Sequence, residues 1–352
     1  MTFNIKLSPS GKSYSAPDGK TILDSGLVAG INLPYSCRAG TCRTCKGKVI
    51  EGSVDFGGAH PFYLTEEQKA QGFALLCKAK PLSDVVVQVE ELDLRRMEPR
   101  KVPCRIKRIT FPAPDVAVLE LRLPMNENLR FAAGQFVDIQ LPGDRKRSYS
   151  IASAPRAEGV IDLELHIRHV RGGAFTDRLF TTSMEGQMLQ FIGPLGSFYL
   201  REEDDKPIIF LASGTGFAPI KSMVEYARAR GLRRPIKLYW GCRQAPDLYM
   251  DDLAREWADT IADFEYIPVL SEPSHSNDWH GRTGLVHQAV MDDLPDLSNH
   301  LVYACGGPLM INAARSDFCR KRGLPEAQFL ADAFLTEADL ASALTSEPLQ
   351  TS

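Results

Sequence analysis

Three cysteines packed into nine positions, Cys37-x4-Cys42-x2-Cys45, with Cys77 far downstream, constrain this 352-residue chain more than any other feature. A loop that gathers three thiols has to wrap around something the thiols bind. The other four cysteines, Cys104, Cys242, Cys305 and Cys319, are scattered singly, so the eight do not read as a disulfide framework. Two irons bridged by sulfides need four thiolates, two to each iron; such a loop supplies three and a distant strand end the fourth, so Cys37, Cys42, Cys45 and Cys77 fit the spacing of a [2Fe–2S] cluster. Ala39, Gly40, Thr41 and Thr44 are small enough to let backbone N–H groups point at the sulfurs. A structural zinc site is the competing reading, but zinc often uses two Cys-x2-Cys pairs and this chain has one. Arg43 stands where a small residue is common; it reads as a solvated surface arginine, with a docking charge as the other reading.

The rest of the composition sets limits. With 44% hydrophobic and 24% charged residues the chain has the makings of two or three globular domains, and a net charge of −3 gives no pull toward nucleic acid or an anionic membrane. No apolar stretch is long enough for a membrane helix. Met1–Leu7 alternates like a first strand rather than running like a signal peptide, so the expected compartment is cytoplasmic.

The hydrophobic period changes twice along the chain. Residues 1–94 carry short strands, a helix capped by Thr21, a helical turn opened by the capping box Thr65-x-x-Gln68, and a closing strand at 85–89. A polar, mostly basic segment follows, and 95–101 is expected to be a linker, the basic run from Arg95 to Arg108 being solvated. Strand signals fill 102–203, at 116–123, 136–141 and 160–168, which predicts an antiparallel barrel. Within the last of these Ile161, Leu163, Leu165 and Ile167 alternate with Asp162, Glu164, His166 and Arg168, as in a strand with one buried face. From 204 to 340 apolar strands at 207–212, 236–240, 264–270, 301–305 and 328–334 alternate with helical patterns, one of them from Pro219 to Arg230, predicting a doubly wound parallel sheet. The Ser/Thr-rich tail, 341–352, is expected to be disordered.

Three strings carry cofactor chemistry. Arg147-Ser148-Tyr149-Ser150 offers a cation for phosphates, an aromatic wall and a hydroxyl, which are the groups a flavin needs; alone it is also consistent with a polar turn. Gly172-Gly173-Ala174-Phe175-Thr176 leads into a helical pattern and suits a pyrophosphate. Gly214-Thr215-Gly216-Phe217-Ala218-Pro219 stands between a strand and a helix, where open α/β sheets bind ligands, although the third glycine of G-x-G-x-x-G is missing. Cys305-Gly306-Gly307-Pro308 ends a later strand of the same sheet, which favours a functional Cys305 over a small buried hydrophobe. Cys104, Cys242 and Cys319 read as structural, and His166 and His169 as contact or surface residues beside the flavin cradle.

Taken in order, Cys-x4-Cys-x2-Cys…Cys, Arg-x-Tyr-Ser, Gly-Thr-Gly-x-Ala-Pro and Cys-Gly-Gly-Pro cover nearly the whole chain and resemble the ferredoxin–NADP reductase superfamily with an N-terminal plant-type ferredoxin domain. That group includes the reductase components of mono- and dioxygenases. Leu238-Tyr239-Trp240-Gly241, residues 284–290, Val302-Tyr303-Ala304-Cys305-Gly306 and the ending Asp332-Ala333-Phe334 look most like its CDP-6-deoxy-Δ3,4-glucoseen reductases, which serve 3,6-dideoxysugar synthesis. The resemblance implies a multidomain α+β and α/β fold: a β-grasp ferredoxin domain, an antiparallel β-barrel flavin domain and a doubly wound nicotinamide domain. It implies FAD at Arg147, Ser148, Tyr149 and Ser150, with His166 close by and the phosphates at Gly172, Gly173 and Thr176. NADH would bind at Gly214, Thr215 and Gly216 with Cys305 near the nicotinamide. Asp247 would favour a free ribose hydroxyl over a 2′-phosphate, a preference that Arg243 weakens. Phe334 would cover the flavin, with Asp332 near the chemistry. Electrons would pass from NADH through FAD and the cluster to a partner protein, either an iron–sulfur, pyridoxamine-phosphate-dependent dehydratase or an oxygenase. A zinc-binding interaction module without turnover is the alternative of another class.

Overall fold

The computed structural model describes residues 1–92, 97–273 and 279–335. The expected tail at 341–352 and the first residues of the expected linker lie outside them. The chain divides into two compact units, Met1–Arg95 with Ala331–Ser352, and Arg96–Leu330.

In the first unit a five-stranded sheet runs in the order Ser13–Pro17, Thr2–Ser8, Val85–Gln88, Lys46–Glu51, Phe73–Leu75. The central pair, Thr2–Ser8 and Val85–Gln88, is parallel and the other pairings are antiparallel, which is the mixed sheet of a β-grasp. Helix Ile22–Val28 starts where Thr21 accepts the Asp24 amide, at 3.0 Å. The capping box at Thr65 and Gln68 forms in both directions, at 3.3 and 3.2 Å, and opens helix Glu66–Ala70. The cysteine loop fills the long connection before Lys46–Glu51.

The second unit holds a barrel and a parallel sheet. The barrel's six strands run in the order Arg145–Ser150, Phe136–Leu141, Met188–Leu195, Arg100–Ala113, Val116–Arg122, Asp162–Arg168, and an antiparallel bridge between Ile151 and Leu165 joins the two ends. One expectation is corrected here. The basic run is not a solvated linker, because Arg100–Ala113 is a fourteen-residue strand within the barrel wall. Val102, Cys104 and Ile106 point into the core, while Lys101, Pro103, Arg105 and Lys107 face solvent. Period two hid under the charge, since only alternate positions need be apolar.

The parallel sheet runs in the order Arg282–Thr283, Phe264–Leu270, Ile236–Cys242, Ile208–Ser213, Leu301–Gly306, Phe329–Ala333. Strand order reverses between Ile208–Ser213 and Leu301–Gly306, so the crevice of a doubly wound sheet opens at the ends of those two strands. Helix Phe217–Arg230 follows the first of them and ends on Gly231 in the left-handed region, φ 66°. No helix among the described residues is long and apolar enough to cross a membrane.

If Arg100–Ala113 is a core strand, Ile106→Ala should cost about 2–5 kcal/mol, while Lys107→Ala, which loses surface pairs with Glu120 at 3.2 Å and Asp162 at 3.9 Å, should cost under about 1 kcal/mol. Urea unfolding followed by circular dichroism measures both, and equal small effects would return the segment to a linker.

Candidate functional site

The cysteine loop is held in shape by its own backbone. Gly40 takes φ 85°, and the Ala39 and Cys42 amides and the Thr41 hydroxyl each donate to the Cys37 sulfur at 3.4 Å. A bond from the Cys42 thiol, with those three donors, draws the Cys37 thiol well below its usual range against the cost of burial. Cys42 is pushed up by its bond to Cys37 and by burial, and Cys45 by its bond to Cys77 and by burial. The thiols therefore contact two by two, Cys37 with Cys42 and Cys45 with Cys77. A binuclear cluster takes two thiolates per iron and suits this pairing, whereas tetrahedral zinc needs all four at one centre.

Arg43 differs from its expected role. It is half-buried, sits at φ 62°, and donates to the Phe62 carbonyl, so it ties the loop to a neighbouring turn. Two residues near the chain end also meet this loop within the same compact unit. Ser36, just before Cys37, donates to the Asp332 carboxylate, and Thr44 donates to the Ala331 carbonyl at 3.0 Å. Burial, with the neighbouring Cys37, lifts the Asp332 carboxyl to about 6. Phe334 is half-buried directly after that strand.

In the barrel, Arg147-Ser148-Tyr149-Ser150 is a strand rather than a turn. It pairs antiparallel with Phe136–Leu141, Phe136 opposite Ser150 and Val137 opposite Tyr149. Ser148 is spent on Asp138 at 2.6 Å, and Asp138 is also paired with Lys146 at 2.9 Å. The Tyr149 ring rests against Phe175, with centroids 5.8 Å apart. The Ser150 hydroxyl is buried and has no hydrogen-bond partner among the described residues. A buried orphan hydroxyl costs free energy unless something fills the gap, and the flavin ring has the polar edge to do so.

At the expected phosphate cradle the structure shifts the donors along the chain. The Gly172 amide is bonded to Asp177 at 2.9 Å, the Gly173 amide to the Val170 carbonyl at 2.9 Å, and the Thr176 hydroxyl to the same carbonyl at 2.8 Å. The amides left over at this turn are those of Ala174, Phe175 and Thr176. Glycine is still required here, because a Cβ on Gly173 would lie 2.5 Å from the Thr176 hydroxyl.

His166 is the clearest departure from expectation. Expected beside the flavin, its side chain has no exposed surface, and both ring nitrogens are engaged, Nδ1 with the Tyr249 hydroxyl and Nε2 with Glu164, each at 2.8 Å. Nothing of the ring is left for a cofactor. Its strand is covered on a second face as well, where Glu164 meets Lys221, His166 meets Tyr249 and Arg168 approaches Gly214. Alternation named that polar face, but nothing in the sequence said what covers it.

At the sheet's switch point Gly214-Thr215-Gly216 forms a 3-10 turn with Gly214 at φ 51°. A Cβ on Gly216 would stand 2.1 Å from the Cys305 carbonyl oxygen, so the turn lies directly on the strand carrying Cys305. Cys305 is wholly buried. Beneath the turn, Phe217 stacks on Trp240 at 4.0 Å and 10°, and the Trp240 indole donates to the Gly214 carbonyl at 3.0 Å. These aromatics were not among the expected site residues, although Leu238-Tyr239-Trp240-Gly241 had been picked out. The Asp247 carboxylate caps its own short turn by accepting the Gln244 amide at 3.1 Å through Oδ2. Cys104 and Cys242 behave as the structural thiols expected, each pushed up to about 12 by burial.

Comparison with known proteins covers all three segments. Residues 5–82 match the 2Fe-2S iron-sulfur cluster binding domain, 103–199 the oxidoreductase FAD-binding domain and 210–316 the oxidoreductase NAD-binding domain. The chain is 43% identical, over 95% of its length and 99% of the relative's, to the CDP-6-deoxy-L-threo-D-glycero-4-hexulose-3-dehydrase reductase of Yersinia pseudotuberculosis. It is 34% identical to the phenol hydroxylase P5 protein of Acinetobacter pittii, over 96% of both chains. Among solved structures, the Amycolatopsis cytochrome P450 reductase GcoB aligns with a TM-score of 0.75 and 34% identity, covering 94% of this chain and 98% of that one.

Iron and acid-labile sulfide should be found in the purified protein at about two of each per chain. Cys77→Ser should remove the cluster's visible and EPR signals while NADH still bleaches the flavin. Stoichiometric zinc with no sulfide would refute the cluster.

Proposed function

Because the chain belongs to the ferredoxin–NADP reductase family, in the branch with an N-terminal [2Fe–2S] domain, we propose that its electron acceptor is an iron–sulfur, pyridoxamine-phosphate-dependent dehydratase acting on a CDP-4-keto-6-deoxyhexose. The chain is an NAD(P)H-dependent oxidoreductase that delivers electrons to an acceptor protein. When bound, FAD supplies hydride acceptance from the nicotinamide, and the cluster supplies one-electron delivery. The observation that carries the dehydratase reading is 43% identity to a dehydrase reductase over essentially both full lengths, against 34% for a phenol hydroxylase component. The oxygenase reading keeps its own support in the likeness to the P450 reductase.

Several assignments follow for this chain's residues. Ser150 hydrogen-bonds the reactive edge of the flavin ring, Tyr149 and Phe175 form its apolar wall, and Arg147 with the Ala174–Thr176 amides neutralises its phosphates. Gly214, Thr215 and Gly216 let the nicotinamide nucleotide approach the backbone. Cys305, on the strand against which the Gly214–Gly216 turn rests, would lie near the nicotinamide. Domain boundaries at 1–94, 102–203 and 204–340 suit these roles. None of the eight cysteines, all among the described residues, is in a disulfide, which fits a reducing cytoplasm where NADH is available. Asp247 has its second carboxylate oxygen available for a ribose hydroxyl, so NADH is favoured over NADPH.

Ser150→Ala should leave flavin bound and slow its reduction by NADH about tenfold to a hundredfold; Cys305→Ala should slow the same step with the cluster spectrum intact. Stopped-flow flavin bleaching reads both, and unchanged rates would remove those roles. Reconstitution with each class of acceptor decides the partner: turnover of the CDP-sugar with the dehydratase supports the proposal, whereas efficient coupling only to an oxygenase defeats it. In the same assay a kcat/KM for NADPH equal to or above that for NADH would overturn the cofactor preference.

A further inference from the structure

Residues 164–166 of the barrel are bonded on one side to the segment that follows Ser150 and on the other to the segment that follows Gly216. Leu165 bridges to Ile151, and the Ala152 amide donates to the Glu164 carbonyl at 2.7 Å. On the opposite face Glu164 receives Lys221 of helix Phe217–Arg230 at 3.2 Å, and His166 lies parallel to Phe217, centroids 6.4 Å apart at 17°. His166 also meets Tyr249, the second residue after the Ala245–Asp247 turn. A third contact sits one step along the strand, where a Cβ on Gly214 would lie 2.9 Å from the Arg168 guanidinium. The flavin strand and the nucleotide turn are thus joined across one strand's width.

Donor and acceptor chemistry sets the direction of the bonds in this chain. The Glu164 carboxyl, despite burial, is drawn down to about 2 by His166 and Lys221, so it is a carboxylate that only accepts. His166 Nε2 therefore carries the proton. Burial lowers the basicity of the imidazole, Glu164 opposing it, which favours the neutral ring. Nδ1 must then accept, so the Tyr249 hydroxyl donates; burial holds that phenol protonated. Apolar packing alone would let two layers slide, whereas directional bonds between enclosed groups set one register.

We propose that the Tyr249–His166–Glu164 chain is a single-tautomer strut that fixes the Gly214–Gly216 turn at its working distance from the Ser150 strand, which makes His166 a positioning residue for hydride transfer rather than a cofactor ligand. Lys221 anchors the Glu164 end, itself held by Glu225 at 2.8 Å. Hydride transfer is steep in distance, and a misplacement of about 1 Å costs up to about a hundredfold. Losing the strut should therefore act on rate at saturating nucleotide more than on affinity.

The test uses the holoenzyme, with Tyr249→Phe, which keeps the ring and removes one hydroxyl, and His166→Gln. Stopped-flow flavin reduction should slow about tenfold in both at saturating NADH, with the apparent Kd for NADH within twofold and flavin content unchanged. Independently of activity, ¹⁵N NMR of the wild-type protein should show His166 neutral, protonated at Nε2 and unprotonated at Nδ1. Full-rate variants overturn the proposal, as does a loss confined to nucleotide affinity or flavin content, or a His166 that is cationic or Nδ1-protonated. The inference rests on the NADH-to-flavin reading, which Ser150→Ala tests separately, so the two failures are distinguishable.

Discussion

At the switch point of the parallel sheet two backbones touch where neither can carry a side chain. Gly216 lies against the Cys305 carbonyl, and a Cβ on Gly306, at φ 138°, would meet the Ser213 hydroxyl at 2.1 Å. That same hydroxyl accepts the Gly307 amide at 3.1 Å. The loops after the two central strands are therefore one interlocked piece, and the crevice above them has a floor made of backbone. A nucleotide bound as proposed would rest on that contact. A methyl at Gly216 would lift the turn from Cys305 and carry the start of helix Phe217–Arg230 with it.

The barrel meets this floor through polar groups rather than through more core. His166 and Lys221 are enclosed and Glu164 and Glu225 half-buried, an arrangement that destabilises unless each partner is satisfied. Each is satisfied, and a second bond, from the Ser222 hydroxyl to the Ser153 carbonyl at 2.8 Å, crosses between the same two layers. An apolar interface of similar area would bind as well but would leave the relative placement of flavin strand and glycine turn less defined. The reacting groups sit on different domains, so definition matters more here than adhesion.

Much of this was legible beforehand, for identifiable reasons. The cysteine spacing, the glycine turn and the 2-to-3.6 change of period report chemistry or backbone geometry that side-chain context cannot rewrite. The N-cap at Thr21 and the capping box at Thr65 are equally local. What failed depended on tertiary partners. The run from Arg95 to Arg108 reads as solvated because its outward residues are basic, although Val102, Cys104 and Ile106 build the core. His166 reads as a cofactor neighbour because it is close in sequence to the glycine cradle; only Tyr249, 83 residues away, reveals its use. At the glycine cradle Asp177 and Val170 occupy the amides that Gly172 and Gly173 were expected to offer.

The cysteine loop shows the opposite economy from the nucleotide crevice, accepting backbone strain where the crevice avoids it. Arg38 and Arg43 both sit in the left-handed region, at φ 53° and 62°, at a cost of roughly 1–2 kcal/mol each relative to glycine. Glycine at either place would relax the backbone and lose a cation. Both side chains are secured: Arg38 lies over the Tyr35 ring at 4.7 Å and donates to its hydroxyl at 3.2 Å, and Arg43 holds the Phe62 carbonyl. Strain that is tied down in this way holds the backbone on either side of Cys42 in one shape. The loop thus keeps the Ala39 and Cys42 amides aimed at the Cys37 sulfur, the kind of hydrogen bond that stabilises a reduced cluster.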